Sequence, residues 1–363
     1  MKYQRQRQSG IELLKIFAML FIVISHVTQT LMTPYGAAGA FWDLNAPAVT
    51  GQHFALWTMM DLGVIGNGIF FISSAWFLCG RTDLKPQKLL QMEGNVWLIS
   101  VLMLAAFLLA GLRPDAKTIV VCLFPTLFSL NWYITCYMLF YLACPFCNRL
   151  MAGMTRQEFA RTAGVLFFCY ILLGTLSPGI LFSSQLIVFF TLYFVICYIR
   201  QYLPRLAESV RCNLLLLACG LAGMALTLLA TSWINTRLPG AISPMRWYTT
   251  QNLFNVMIAF SLFQLFRRVH FVSRGINRIA GLSMLIYLLH DNLLVKTHLR
   301  PLAFVWLSET YGFRHIAGWV LVFALGLFAG CAVLGGLYQL VTRPLFHHAA
   351  QALARPTAAA DRM

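Results

Sequence analysis

The first apolar segment of the chain carries three ionisable side chains, Glu12, Lys15 and His26. An ionisable side chain at membrane depth costs about 2.5–3.5 kcal/mol on insertion scales, so each one is a candidate functional group. Glu12 and Lys15 are three residues apart and share a helical face, where their charges partly neutralise each other. Snorkelling of a lysine to the membrane surface would also explain the pair. His26 follows Lys15 by eleven residues, which places it roughly 16 Å farther along a helix.

This spacing predicts a polar path along one helix. A neutral imidazole accepts a proton from a hydroxyl, so His26 is a candidate general base. A cation at Lys15 suits an anionic or polar group that enters from the end of the helix at which Lys15 lies. The alternative is that His26 is an interfacial histidine with satisfied hydrogen bonds and no chemistry.

A second polar cluster lies in the segment IYLLHDN. Tyr287, His290 and Asp291 fall within four residues, so one helical face can present all three inward, with Asn292 next in the chain. Asp291 either orients a histidine or pairs with Lys296, and spacing alone leaves both interpretations open.

Small and basic residues form a third group. Gly66, Gly68 and Ser74 let another helix or a slender ligand approach closely. Arg81 and Lys88 follow this segment and can bind phosphates, although membrane topology alone would also place basic residues there.

The amino-acid composition requires that the segments carrying these candidate residues lie in lipid. Of the 363 residues, 60% are hydrophobic and only 10% are charged, which excludes water-soluble globular, disordered and fibrous proteins. The net charge of +16 could indicate nucleic acid binding. Because the basic residues lie between apolar runs, they indicate membrane orientation instead, and we expect no nucleic acid partner.

Apolar runs long enough to cross a bilayer predict an all-α, polytopic membrane bundle with about ten transmembrane helices. The predicted spans are 11–33, 56–79, 94–111, 131–150, 160–177, 180–200, 212–232, 250–268, 278–297 and 314–342. The apolar stretch 118–129 is short and contains Pro125, which predicts a re-entrant or interfacial segment.

The distribution of charge predicts that both termini are cytoplasmic. This orientation places nineteen Lys and Arg residues on the cytoplasmic side and seven on the other. We expect one membrane domain over 1–348 and a disordered, Ala-rich tail over 349–363. Nine of the ten cysteines fall inside predicted spans as small packing residues, and we expect no metal site.

Four motifs, in order, resemble those of the integral-membrane acyltransferase 3 family. IELLKIFAMLFIVISHV resembles the family's first helix, in which a basic residue precedes an essential histidine, here Lys15 and His26. The others are FFISSAWFL, NWYITCYMLFYLACPF and LSMLIYLLHDN. Ser25 stands where many relatives have a second histidine, so His26 is the sole candidate base in this helix.

The resemblance implies transfer of an acyl group, usually acetyl, from cytoplasmic acyl-coenzyme A to a sugar hydroxyl of an envelope polysaccharide or glycolipid. It implies a bacterial inner-membrane enzyme with acetyl-CoA as co-substrate, no permanently bound cofactor, and lipid as its surroundings. His26 would be catalytic together with Lys15 and Glu12, by direct deprotonation or through an acyl-histidine intermediate. Donor binding would involve Lys15, Ser74, Arg81 and Lys88. Acceptor binding would involve Asn131, Trp132, Tyr137, Tyr287, His290, Asp291 and Asn292.

The main alternative is a transporter or flippase of a glycan precursor that uses the same polar residues as a translocation path. Transporter halves usually repeat, and the sequence has no such repeat. A scaffold without activity would leave Glu12, Lys15 and His26 with no role that offsets their insertion cost.

Overall fold

Helices are the regular secondary structure of the residues that the computed structural model describes, which are 8–33, 40–42, 50–177, 184–238 and 240–354, and no strand occurs among them. The α-helices are α1 (Ser9–Thr30), α2 (Gly51–Leu78), α3 (Pro86–Leu109), α4 (Ala116–Leu123), α5 (Trp132–Ala152), α6 (Arg156–Leu176), α7 (Gln185–Tyr202), α8 (Pro204–Glu208), α9 (Val210–Arg237), α10 (Leu253–Phe266), α11 (Arg274–Ala280), α12 (Ser283–His290), α13 (Arg300–Tyr311) and α14 (Ile316–Ala354). Helical turns of other types are Phe168–Leu172, within α6, Pro244–Trp247 and Val295–Leu299.

Eight of these helices are long and apolar enough to cross a membrane, which confirms the predicted polytopic bundle. They are α1, α2, α3, α5, α6, α7, α9 and α14. The 22 residues of α1 rise about 33 Å, slightly more than the roughly 30 Å of a hydrocarbon core. We call the side on which α1 begins the inner side and the side on which it ends the outer side.

Two predicted spans differ from simple membrane-crossing helices. The span expected at 250–268 is the 14-residue helix α10, which is too short to cross unaided. The span expected at 278–297 is not one helix, since α12 ends at His290 and a π-helical turn occupies Val295–Leu299 before α13. The hydropathy averaged over 278–297 is that of a single span, so it does not reveal the break after His290.

The break follows from local hydrogen bonding. The Asn292 side chain accepts a hydrogen bond from the Leu294 amide at 3.0 Å, as residues at a helix start do, so a new helical segment begins there. Asn292 and Asp291 are both buried. An interrupted backbone at membrane depth is tolerated where it is enclosed by protein or lines a cavity.

The stretch 118–129 is confirmed as a segment too short to span. Its helical part lies in α4, whose eight residues rise only about 12 Å. Turns follow from Phe124 to Leu130, with Pro125 among them. A spanning segment at 118–129 would reverse the membrane orientation of every later helix, and so short a helix does not require that reversal.

Helices α1 and α2 pack closely because small residues line their contact. A Cβ atom on Gly63 would lie 2.4 Å from Ser25 Oγ, and one on Gly66 would lie 2.5 Å from the carbonyl oxygen of Ala18. Ser25 also donates a hydrogen bond to the Met60 carbonyl at 2.7 Å. The position that holds histidine in many relatives is therefore part of the helix contact.

The predicted domain boundary at 348 stays a prediction, although the last helix runs past it. Helix α14 continues to Ala354, so no helix ends at the predicted domain limit of 348. Alanine has the highest helix propensity, which accounts for the extension into the Ala-rich segment. Residues 355–363 lie outside the described residues, as do 1–7 and most of the outer loop 34–49.

Candidate active site

Two histidines that are distant in sequence meet toward the outer end of the bundle. His26 on α1 and His290 at the end of α12 lie 3.0 Å apart, measured from Nδ1 of the first to Nε2 of the second. His290 is fully buried, and the side chain of His26 is 12% exposed. The amino-terminal helix and the interrupted segment therefore build one site.

The hydrogen bonds define which ring nitrogens carry protons. His290 Nδ1 lies 2.7 Å from the carbonyl oxygen of Ile286, which can only accept, so this nitrogen is the donor. The Nε2 of a neutral His290 is then an acceptor, and His26 donates to it from Nδ1. It follows that the Nε2 of a neutral His26 holds an unshared electron pair and can act as a base.

Asp291 lies beside the same nitrogen of His26 and connects it to a buried guanidinium. Its Oδ1 is 3.3 Å from His26 Nδ1 and 3.6 Å from Arg300 Nη2. Of the two interpretations left open by the sequence, this geometry favours orientation of a histidine over pairing with Lys296. A carboxylate in this place stabilises the imidazolium that forms when Nε2 takes up a proton.

A polar cavity of about 520 Å³ opens on the outer side of His26. Helix ends and connecting loops supply its walls, and most of the lining groups are hydroxyls and amides. Its lining comprises His26, Gln29, Thr30, Thr33, Val64, Asn67, Leu130, Trp132, Gln185, Tyr248, Thr249, Thr250, Asp291, Lys296, Thr297 and Arg300. Such a surface suits a ligand rich in hydroxyl groups.

Tyr248 is part of a hydrogen-bonded wall of this outer cavity. Its hydroxyl accepts from Gln29 Nε2 at 2.9 Å, and Gln29 Nε2 also donates to Ser25 Oγ at 3.3 Å. Burial raises the pKa of the Tyr248 phenol, so it stays protonated at neutral pH and can donate a hydrogen bond.

A second, apolar cavity of about 150 Å³ lies on the inner side of the same site. Its lining comprises Met19, Ile22, Asn67, Phe70, Ser74, Met92, Tyr133, Ile134, Tyr137, Ser283, Met284 and Tyr287. Met19 and Ile22 precede His26 on α1 by one to two helical turns, so this inner cavity lies between the depths of Lys15 and His26. Its size and apolar walls suit a thin chain.

Asn67 lines both cavities and so lies between them. Tyr287 lines the inner cavity, and its ring centroid is 6.3 Å from that of His26 and 5.9 Å from that of His290. The imidazole pair therefore lies near the residues that separate the apolar inner cavity from the polar outer cavity. This arrangement can bring a ligand from each side to one base.

Of the residues predicted to bind a donor, Ser74 lies in the wall of the inner cavity, and Lys88 contacts one of its lining residues. Ser74 lines it, and Lys88 donates a hydrogen bond to the Tyr137 hydroxyl at 2.8 Å. Lys88 Nζ also lies 5.0 Å and 4.7 Å from the ring centroids of Tyr137 and Tyr141. Arg81 is exposed and lines neither cavity, although its carbonyl accepts from the Asn148 side chain at 2.6 Å.

The predicted pairing of Glu12 with Lys15 is confirmed. Their side chains form an ion pair at 3.1 Å, with Glu12 buried and Lys15 24% exposed. Neither residue is among those that line the two cavities. The structure thus places His26 in the wall of the outer cavity and the Glu12–Lys15 pair outside both cavities.

The residues expected on the acceptor side divide between several positions. Trp132 and Asp291 line the outer cavity, whereas Tyr137 and Tyr287 line the inner one. His290 is buried behind His26, as described above. Asn292 is buried at the helix break. Asn131 is buried beside Trp132, and its Oδ1 has no hydrogen-bond partner among the described residues.

Sequence reasoning missed Arg300 and Asn67. A continuous helix over 278–297 would leave Arg300 in the loop that follows, whereas the interrupted segment places it at the outer cavity. The available signals were the polar sequence His-Asp-Asn and Pro301 at the first turn of α13. Asp61, buried in α2, was also missed.

Comparison with known proteins identifies a family. A family model described as an acyltransferase domain, that of the acyltransferase 3 family, matches residues 8–338, nearly the whole chain. No curated protein and no solved structure matches the chain. The matched range contains both cavities and the histidine pair.

Proposed function

Because this chain belongs to the acyltransferase 3 family and is a membrane acyltransferase, we propose that it transfers an acetyl group from acetyl-CoA to a sugar hydroxyl. The donor enters from the cytoplasm at the inner side. The acceptor is an envelope polysaccharide or glycolipid that enters from the outer side. We place the enzyme in the bacterial inner membrane, surrounded by lipid, with both termini in the cytoplasm.

The observation that carries this proposal is the hydrogen-bonded pair His26–His290 at the outer cavity. With Nδ1 engaged by His290 and Asp291, the Nε2 of His26 is the nitrogen left to accept a proton. The acceptor hydroxyl gives its proton to Nε2 while its oxygen attacks the thioester carbonyl. The tetrahedral intermediate then loses the coenzyme A thiolate, which takes the proton back from His26.

The inner cavity supports a short acyl group. Coenzyme A is a polyanion with a long, thin arm, so its phosphates stay at the inner surface while the thioester reaches inward. Lys88 and Ser74 would contact this arm, and the position of Tyr137 beside Lys88 places it on the donor side too. A cavity of about 150 Å³ favours acetyl over a long acyl chain.

Lys15 acts at a distance from the reacting atoms in this proposal. It is paired with buried Glu12, and its own side chain stays 24% exposed on the inner side of the inner cavity. Lys15 would attract the polyanionic donor toward the inner surface, and Glu12 would hold the lysine in place. Neither would exchange protons with substrate.

Removal of the imidazole tests the proposal. In membrane vesicles that contain labelled acetyl-CoA and envelope glycan, His26→Ala should abolish label transfer without changing expression or membrane insertion. His270→Ala, at an exposed histidine beyond α10, is the matched control and should be unaffected. Near-normal transfer by His26→Ala would contradict the mechanism, and export of glycan without consumption of acetyl-CoA would favour a flippase.

The same preparation separates direct transfer from an acyl-histidine intermediate. If Nε2 first takes the acetyl group, labelled coenzyme A exchanges into acetyl-CoA in the absence of acceptor. Direct transfer requires the acceptor for any release of coenzyme A.

A further inference from the structure

We propose that the outer cavity is a binding site for an anionic group of the acceptor, a carboxylate or a phosphate, held by Lys296 and Arg300. The identity of the ligand as acceptor rests on the function proposed above, whereas the anion site itself rests on the charges of the cavity.

The interrupted segment after α12 places Lys296 and Arg300 in the wall of the outer cavity. Lys296 lies in the π-helical turn Val295–Leu299, and Arg300 follows it by four residues at the start of α13. Both line the outer cavity. Single π turns within helices are frequently found at functional sites, where they redirect side chains.

The cavity carries more positive than negative charge. Asp291 is the one acidic side chain in its lining, and Lys296 and Arg300 are both basic. Asp291 forms its ion contacts with His26 and Arg300. Within the described part of the chain, no ion pair joins Lys296 to an acidic residue, so its charge has no such partner at the cavity wall.

Arg300 is poorly compensated for a buried guanidinium. Its side chain is 9% exposed, and its ion contact to Asp291, at 3.6 Å, is longer than a hydrogen bond. Its Nε and Nη1 have no hydrogen-bond partner among the described residues. Burial of a charge is costly unless it is paired and hydrogen-bonded, so this arrangement indicates that a further anion completes the site.

The rest of the cavity fits a sugar that carries such an anion. The other walls present neutral hydroxyl and amide groups, among them Gln29, Thr249 and Thr250, and the aromatic ring of Trp132. Two distances, 3.3 Å and 3.6 Å, end on the same Asp291 oxygen, so the Arg300 guanidinium lies within about 7 Å of the His26 imidazole. That separation suits a hydroxyl and an anionic group on one sugar or on adjacent sugars.

The test uses three matched probes with purified enzyme in detergent: a disaccharide that ends in glucuronate, its neutral glucose counterpart, and the corresponding glucose 6-phosphate. We measure equilibrium binding and the KM for acetyl transfer. Wild type should bind at least one acidic probe about 10-fold more tightly than the neutral probe. The glucuronate and phosphate probes distinguish the two sources of negative charge.

Variants then test whether the preference for acidic over neutral probes arises from the outer cavity. Lys296→Gln should reduce the preference to near unity, and Lys296→Arg should restore most of it. Lys117→Gln changes an exposed lysine in α4 and should leave the preference unchanged. Arg300→Lys keeps the charge but lacks the planar fork, and it should lower affinity for the acidic probe several-fold.

Equal binding of acidic and neutral probes by the wild type, or no binding of either acidic probe, would overturn the anion site. Persistence of the preference in Lys296→Gln would also overturn it. Failure of acetyl transfer to every probe while acidic binding persists would instead remove the proposed function and leave the anion site intact.

Discussion

Loss of the hydrogen-bond acceptor behind His26 should slow the reaction without weakening donor binding. His290→Leu removes the ring nitrogen that accepts from His26 Nδ1 at 3.0 Å, in a fully buried position. The imidazole then keeps only the longer contact to Asp291, at 3.3 Å. His26 therefore loses part of the support that fixes its orientation and its proton on Nδ1.

The size of the effect follows from the loss of one buried hydrogen bond. Because the Asp291 contact remains, the cost lies at or below about 1–3 kcal/mol, the cost of leaving a buried donor unpaired, which corresponds to a decrease in kcat of up to roughly 5- to 150-fold. We expect the KM for acetyl-CoA to stay within about 2-fold, because His290 does not line the inner cavity. His290→Gln places an amide oxygen near the former Nε2 and should recover part of the lost rate.

The assay is acetyl transfer in vesicles with matched amounts of folded protein. His298→Leu is the control, since this histidine lies in the same interrupted segment, 6.4 Å from the Phe107 ring, and lines neither cavity. Wild-type kcat in His290→Leu would refute the reasoning. An identical loss in His290→Gln and His290→Leu would show that the acceptor nitrogen is not the relevant feature.

Three other changes test separate parts of the structure. Asp291→Asn removes the charge beside His26 and should lower kcat about 10-fold with little change in donor KM, as measured by acetyl transfer. Lys88→Met removes a cation beside the inner cavity and should raise the KM for acetyl-CoA about 10-fold while acceptor KM stays constant. Gly66→Val inserts atoms where a Cβ would lie 2.5 Å from the Ala18 carbonyl, and it should lower the Tm through a loss of about 1–3 kcal/mol.

Matched controls exist for two of these changes. Lys85→Met alters a neighbouring exposed lysine and should leave the KM for acetyl-CoA unchanged. Gly164→Val adds a side chain where a Cβ would contact nothing within 4 Å, so its Tm should remain near that of the wild type. An unchanged Tm in Gly66→Val would count against the close packing of α1 on α2. An unchanged kcat in Asp291→Asn would exclude Asp291 from stabilising the imidazolium.

The fold was predictable because hydropathy reports directly on length and burial in lipid. Runs of apolar residues identified the eight long helices, and the short run at 118–129 was correctly separated from them. The interrupted segment after α12 was missed because a hydropathy average over 278–297 stays apolar despite the polar residues from His290 to Asn292. The decisive feature is one hydrogen bond that the Asn292 side chain accepts from the Leu294 amide, which hydropathy does not record.

Most polar residues of the candidate site, though not Arg300 and Asn67, were predictable singly, but their arrangement was not. His26 and His290 were both identified, yet their contact joins positions 264 residues apart and requires the packed bundle. Periodicity around α5 could not decide which cavity Tyr137 faces, and the structure places it beside Lys88. The roles of these residues remain predictions that the experiments above test.

The most direct test of the central claim is a cryo-EM map of the enzyme with a non-hydrolysable acetyl-CoA analogue. The account predicts that the acyl carbonyl lies between the two cavities, beside Asn67 and Tyr287, close enough for a sugar oxygen held by His26 Nε2 to attack it from about 3–3.5 Å. An analogue bound with its acyl group away from the inner cavity, or on the far side of the helices from His26, would contradict it.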